Sequence, residues 1–310
     1  MTIITEEMRY RKRLCKFALK YGVTKAARRY KSNRMFVYRQ LKRFDGTLKS
    51  LALKSRRPHF HPNQHTKEEL DLIKKTHGRY KRDGLAEVYV QLEKRGYKRS
   101  YGSMCRQIRK LKPKIVKKCY RTSYRKHKEV RGKSPGDKVQ IDIKYVPQRC
   151  ILFNSHGKRY YQITALDEYS RKRVLKIVDE KTVTHTKRFL ETLVDKMGFD
   201  ITTVQTDNGR EFVNDEEITE RISAFEKELI KQGIKYKRTA PYSPWQNGKV
   251  ERSHKLDNER FYEEAEFKSE KDMEKKIKRY NSRYNNVHRK VLNFKNPNQI
   301  VNEYKRTQIN

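Results

Sequence analysis

The sequence predicts a mixed α/β sheet flanked by helices, carried behind two small all-α units. Three observations predict it. Residues 7–45 and 66–111 show apolar positions at helical spacing between capping residues. From Asp137 onward come three β-rich runs, KVQIDIKYV, RYYQITALDE and KRVLKIVDE, after which helical and strand-like segments alternate. Charge divides the chain near the same place: residues 1–133 hold 41 Lys+Arg against 10 Asp+Glu, and the other 177 residues hold 36 against 27. The front therefore reads as a polyanion-binding region, and the back has the balance of an ordinary globular domain.

Length and composition bound the rest. A chain of 310 residues is long enough for two or three domains and at least one hydrophobic core. A net charge of +40 with 35% hydrophobic residues favours association with phosphates through counterion release, although a merely solvated basic surface would give the same totals. Cys15, Cys105, Cys119 and Cys150 form no CxxC pair, so reduced thiols are expected. His59, His61 and His65 lie close together but have no partner thiols, which favours a solvated segment over a metal site. No apolar run approaches membrane-spanning length and the first residues lack a signal-peptide core, so the expectation is a cytoplasmic protein with no membrane partner.

Taken in order, residues 1–45 form the first expected domain. A helix ends near Gly22, Thr24 caps a second short helix (TKAARRYK), and a turn at Ser32-Asn33 leads into RMFVYRQLKRF. Small Ala26 and Ala27 allow close packing, and the pattern matches a helix-turn-helix whose Arg34, Arg39, Lys42 and Arg43 would face DNA. Residues 46–65 read as a basic linker, with Arg56 and Arg57 able to enter a minor groove. Residues 66–111 repeat the helical pattern: Thr66 caps the first helix and Ser100 the last, which carries Arg106, Arg109 and Lys110 as candidate DNA contacts. Residues 112–136 read as a second basic linker. Residues 137–264 form the α/β core, with a helix over 182–197, a strand ITTVQT, a helix near 216–231, a strand IKYKR and a helix through Glu251. Residues 265–310 form a helical extension, with helices near 269–285 and 297–305.

Three acids carry the chemistry. Asp142 sits mid-strand between Ile141 and Ile143, which must point to the opposite face, and an acid in such a place needs a cation or hydrogen bonds. Asp207 follows Thr206 at the carboxyl end of another strand, the edge where open α/β sheets build their sites. Glu251 lies in the helix after PYSPWQNGKV. Ser243-Pro244-Trp245-Gln246 fits a capping box, but Asn247-Gly248 would allow the helix to begin at Asn247 instead. Singly, each acid reads as a surface carboxylate or half of an ion pair, for instance Glu251 with Lys255. Converging, they would repel one another unless two Mg²⁺ or Mn²⁺ ions lay between them, and hard oxygen donors suit those metals better than zinc.

Together VQIDIKYV, TDNGREF and PYSPWQNGKVERSHK resemble the catalytic core of insertion-sequence transposases and retroviral integrases, and YNNVHRKVLNFKNPNQI resembles that family's closing segment. The paired N-terminal helical units are more similar to the bacterial transposases. The resemblance spans roughly residues 136–305. It implies an RNase H-like α/β catalytic core and places the family's acidic triad, and its two metal ions, on Asp142, Asp207 and Glu251. It also implies double-stranded DNA as partner (both the terminal inverted repeats of a mobile element and its target), and at least a dimer of the chain on paired ends. A bacterial, nucleoid-associated location follows from it, with Asn247, Arg252 and Lys255 as further DNA contacts. Two departures stand out. The Asp207–Glu251 interval holds 43 residues, longer than is common in the family, and the basic residue often found seven positions after the glutamate is Asn258 here. Asp167, at a turn where the family has a similar acid, reads as structural. Trp245 could stack on a base or pack at the helix start. Two other functions share these features: a DNA-binding regulator with a silent core, and a metal nuclease that does not join strands.

Overall fold

The computed structural model describes residues 5–53, 58, 61–111, 132–214, 221–240 and 243–309. Arg56, Arg57, Cys119 and most of the second expected linker lie outside them. The chain divides into two compact units, residues 1–65 and 66–310.

The first unit is built on α1 (Glu6–Tyr21), α2 (Val23–Arg29) and α3 (Arg34–Leu41), packed around Leu14, Cys15, Ala18, Ala26, Ala27, Val37 and Leu51. Gly22 both ends α1 and precedes α2, and its φ of +87° lets a single residue make the corner. Thr24, the expected cap, lies inside α2 instead. Asn33 caps α3 by accepting from the Phe36 amide at 2.6 Å. Arg34, Arg39, Lys42 and Arg43 are all exposed, beside exposed Met35 and Tyr38.

The second unit opens with α4 (Lys67–Tyr80), α5 (Leu85–Glu93) and α6 (Tyr101–Leu111) around Ile73, Val88, Leu92, Met104 and Ile108. Thr66 and Glu69 form a reciprocal capping box, and the Ser103 amide donates to Ser100 Oγ at 3.3 Å. Arg106, Arg109 and Lys110 are exposed on α6. This cluster packs on the chain's tail: buried Glu87 accepts from the His288 amide at 2.8 Å, and Tyr89 and Tyr101 each lie 5.2 Å from the Phe294 ring.

The sheet follows. Its strands are β1 (Val139–Tyr145), β2 (Tyr161–Asp167), β3 (Arg173–Val178), β4 (Thr203–Thr206) and β5 (Lys235–Arg238), in the order β3-β2-β1-β4-β5. β1 to β3 are antiparallel, while β4 and β5 run parallel to β1 and to each other. This is a five-stranded mixed sheet flanked by helices, as the sequence predicts. The helices are α7 (Val183–Glu191), α8 (Leu193–Met197), α9 (Ala224–Lys231), α10 (Gly248–Asp257), α11 (Glu270–Asn286) and α12 (Pro297–Ile309). The single helix expected over 182–197 is two, broken at Thr192. Within the stretch expected as a helix near 216–231, residues 215–220 lie outside the description and α9 starts at Ala224, after a Ser223–Glu226 capping box.

The period of two along the strands gives the sheet unlike faces. Val139, Ile141, Ile163, Ala165 and Val204 pack with Phe189, Leu190, Phe212, Phe225 and Leu229 into the main core. At about 25 cal/mol per Å² of apolar surface removed from water, that layer is the principal stabilising term of the unit. Gly136, where the chain enters β1, packs against the segment leading into β4: its φ is +84°, and a Cβ there would lie 1.9 Å from the Asp200 carbonyl oxygen. The other face carries Gln140, Asp142, Lys144, Gln162, Thr164 and Gln205, and it receives α10. No helix among the described residues is long and apolar enough to cross a membrane.

Candidate active site

Strand register places the first two acids. β1 and β4 pair Val139 with Val204 and Gln140 with Gln205. The same offset, carried on along both chains, sets Asp207 opposite Asp142. Asp142, mid-strand in β1 and paired with Thr164 of β2, and Asp207, just past the end of β4, both lie beyond the last residues paired between β1 and β4, where side chains are free to converge. Asp207 is fixed by its own turn, Oδ1 accepting from the Gly209 amide at 3.1 Å. Burial pushes its carboxyl above the ordinary value, and the negative charges of Asp142 and Glu211 push it further.

Helix α10 brings the third acid, docked through buried polar groups and not through an apolar stripe. Gln140 donates to the Gln246 carbonyl at 2.9 Å and accepts from the Val250 amide at 3.0 Å; Gln205 also donates to the Gln246 carbonyl, at 2.9 Å. The start of the helix is held electrostatically. Buried Glu168 accepts from Lys138 at 2.7 Å and from Lys249 at 2.6 Å. Burial raises the Glu168 carboxyl, but its two lysines outweigh that and leave it below the usual range. Farther along, buried Asp257 takes Arg173 Nη1 at 2.6 Å, Tyr280 OH at 2.8 Å and Gln162 Nε2 at 2.9 Å. These anchors hold both ends of α10 against the sheet.

Glu251, in the first turn, is exposed and has no hydrogen-bond or ion-pair partner among the described residues; the pairing with Lys255 is not made. Its carboxyl is pushed up by partial burial, then by the charge of Asp142, with a smaller push from Asp207. The three acids therefore stand within one another's fields. No group of three His, Cys, Asp or Glu among the described residues is close enough to hold a metal ion as it stands. Asp142 is turned onto the protein: Oδ1 accepts from the Ile143 amide at 2.8 Å, and Oδ2 lies 3.3 Å from His254 Nδ1, whose Nε2 is 2.9 Å from Thr164 Oγ1. Three half-buried or exposed carboxylates, two of them raised by burial and by the charge of Asp142, are nevertheless the donor set that hard divalent cations take.

The capping box at Ser243 is not formed. Pro244–Asn247 make a 3₁₀ turn and the α-helix begins at Gly248, because the Ser243 backbone (φ −119°, ψ 58°) carries no side-chain cap. Gly248 has a helical φ of −59° and open space where a Cβ would stand, so the fold itself does not require glycine there. Trp245 is 55% exposed, so it is not the packed aromatic of the alternative reading. Asn247, expected at the DNA, is corrected: it is 4% exposed, with Oδ1 accepting from Gln205 Nε2 at 3.3 Å, because the tight turn into α10 folds its amide under the helix. Arg252 and Lys255 are exposed. Lys144 occupies the space around Asn258, donating to Asn258 Oδ1 at 2.8 Å, and burial lowers its pKa to about 8. Asp167 is fully buried and accepts from the Gly136 amide and from both the amide and hydroxyl of Ser170, which makes it structural. Sequence reasoning missed Gln140, Glu168, Lys249 and His254. An i,i+3 reading of α10 back from Asp257 would have flagged His254 as sheet-facing, but no signal pointed to the Glu168–Lys249 pair.

Known proteins share this core. The integrase core domain family matches over residues 132–244, and a second integrase core domain family matches over residues 232–291. The candidate integrase ORF3 of Spiroplasma virus SpV1-C74 is 30% identical over 175 residues, 53% of this chain and 47% of that protein, so the match spans about half of the relative's length. The HTLV-2 integrase catalytic core domain in complex with magnesium is 17% identical, with a TM-score of 0.41, covering 55% of this chain and 99% of that one. The BIV integrase catalytic core domain gives 17% and 0.41, covering 56% and 99%. The integrase in a simian T-cell lymphotropic virus intasome, bound to PP2A regulatory subunit B56 gamma, gives 17% and 0.43, covering 74% and 73%.

Proposed function

We propose, from the matches of residues 132–244 and 232–291 to integrase core domain families, that the protein is a DNA transposase whose catalytic acids are Asp142, Asp207 and Glu251. One observation supports the reading: the β1–β4 register carries Asp207 toward Asp142 at one end of parallel strands, and Glu251, exposed on α10, makes no ion pair among the described residues. Two Mg²⁺ or Mn²⁺ ions would be held by these three carboxylates and would supply an activated water or 3′-hydroxyl and a stabilised leaving 3′-oxygen. The chain's own residues position the acids. The glutamine seam and the Glu168 ion pairs fix α10, and His254 orients Asp142. Gly248, with open space beside it, leaves room for a DNA backbone near Glu251.

The exposed basic rows on α3 and α6 read as helix-turn-helix contacts to an element's terminal inverted repeats, with Arg252 and Lys255 contacting DNA at the core. Residues 1–45 and 66–111 would then be separate DNA-binding modules ahead of the catalytic core at 137–264. Pairing of two ends calls for at least a dimer on DNA, in a bacterial cytoplasm.

The test is strand transfer on duplexes carrying the element's ends. Asp142→Asn, Asp207→Asn and Glu251→Gln are each expected to abolish metal-dependent cleavage and joining while end binding survives. Full activity in any one removes that acid from the site. Cleavage without joining by the unaltered protein would make it a nuclease, and no cleavage at all would make it a regulator.

A further inference from the structure

Beneath the far end of α10 lies a cavity of about 490 Å³, within the second compact unit and away from the acids. Its walls come from the α4–α5 turn (Arg82, Asp83), the π-helical turn at Asn258–Tyr262 that follows α10, and α11 with the residues after it. Six cations and one carboxylate line it. Three of the cations are neutralised. Arg283 makes a two-point ion pair with Asp83 (3.0 and 2.6 Å), Arg82 pairs with Glu264, and Lys276 pairs with Asp272 at 2.8 Å.

The other three, Arg260, Arg279 and Arg289, have no carboxylate partner among the described residues. The Arg260 guanidinium donates to the Asp83 carbonyl at 3.2 Å. Burial lowers the Arg260 pKa and the charge of Arg289 adds to that, with Tyr280, Asp83 and Glu259 offsetting it only in part. Arg289 lies over the Tyr284 ring at 4.1 Å and donates to the Tyr284 carbonyl at 3.3 Å, yet its Nε is buried without a hydrogen-bond partner. Arg279 is exposed at the rim. Guanidinium groups that repel each other and leave a buried donor unmet are costly unless an anion joins them. Their planar forks match the oxygens of a phosphate, and the volume suits a group of nucleotide size.

We propose that this cavity is a phosphate-binding site, formed by Arg260, Arg279 and Arg289, that grips the nucleic-acid backbone at a distance from the acids. Arg260 stands nine residues beyond Glu251, roughly 13 Å along the helix axis at 1.5 Å per residue, so a strand held here would be engaged several nucleotides from the reacting phosphate. The identification of the phosphate as DNA rests on the proposed function; the anion site itself does not.

The experiment measures duplex-DNA affinity of the full chain against salt concentration, and in parallel the thermal shift given by inorganic phosphate and by dAMP. Arg279→Gln and Arg289→Gln are each expected to make the slope of log affinity against log salt shallower by about 0.9 per lost phosphate contact. Arg289→Lys, which keeps the charge, is expected to retain most of the slope and reports on folding. A reduced slope with no shift from phosphate or dAMP identifies the backbone as the source. A shift that both glutamine variants abolish, with the slope unchanged, identifies a free phosphate compound. An unchanged slope together with no shift overturns the site. Asp207→Asn serves as the separating control: it should remove cleavage and leave the slope intact, so a failure of the catalytic reading and a failure of this site give different results.

Discussion

Helix α10 carries two acids, Glu251 and Asp257, whose surroundings are opposite. Asp257 is fully buried, and the protein supplies its cation and its donors: Arg173, itself without exposed surface, together with Tyr280 and Gln162. Glu251 stands exposed with no ion-pair partner among the described residues, facing the charges of Asp142 and Asp207. A carboxylate whose charge the fold answers serves the fold. A set of carboxylates left to repel one another leaves room for cations from outside. The basic cavity at the other end of the helix repeats the logic with the sign reversed.

Four measurements test whether the contrast between Glu251 and Asp257 is electrostatic. The largest effect belongs to the unanswered side: neutralising Asp142, Asp207 or Glu251 should lower metal-dependent cleavage about 10³-fold or more, since metal stabilisation of several kcal/mol is lost at 1.36 kcal/mol per decade. Circular dichroism of these variants should be unchanged. On the answered side, Arg173→Met leaves Asp257 buried without its cation and should cost about 3–5 kcal/mol by urea unfolding, while Arg173→Met/Asp257→Leu should recover much of that. If the single variant is as stable as the parent, Asp257 is not held by that pair.

A smaller effect is expected at His254. His254→Ala removes the group that orients Asp142 and should raise the Mg²⁺ concentration for half-maximal cleavage about 10-fold, with little change in melting temperature. The smallest concerns stability without metal. The Asp207 carboxyl is raised by burial and by neighbouring charge, so the folded state holds its proton to higher pH than the unfolded chain does. The stability this contributes is fully present below the ordinary carboxylate pKa and is lost as pH rises through the raised value. In EDTA near neutral pH, Asp207→Asn should therefore melt above the parent, and Mg²⁺ should raise the melting temperature of the parent alone. A variant that melts lower in EDTA would show that Asp207 is stabilising in place, contrary to the comparison.

Much of this was legible in the sequence, for local reasons. Alternation along VQIDIKYV put Asp142 opposite the isoleucines, and Thr66 as a helix cap announced α4. The fold class followed from three β-rich runs and the alternation after them. What failed was also local in kind. The Ser243 capping box was a pattern that the backbone did not use, and Asn247, polar in a motif, turned inward to brace the turn.

Local sequence set which residues could carry the chemistry and which face of each strand they occupied, because side-chain period is a property of neighbours along the chain. Their partners came from the packing of distant segments. The β1–β4 register aligns Asp142 with Asp207, sixty-five positions apart. Lys249 answers Glu168, Arg173 answers Asp257, and Arg260 gathers with Arg289 with no ion pair to either among the described residues. Each depends on strand pairing and helix docking between segments distant in sequence. The electrostatic surroundings that separate a structural acid from a candidate catalytic one arise only once those segments pack.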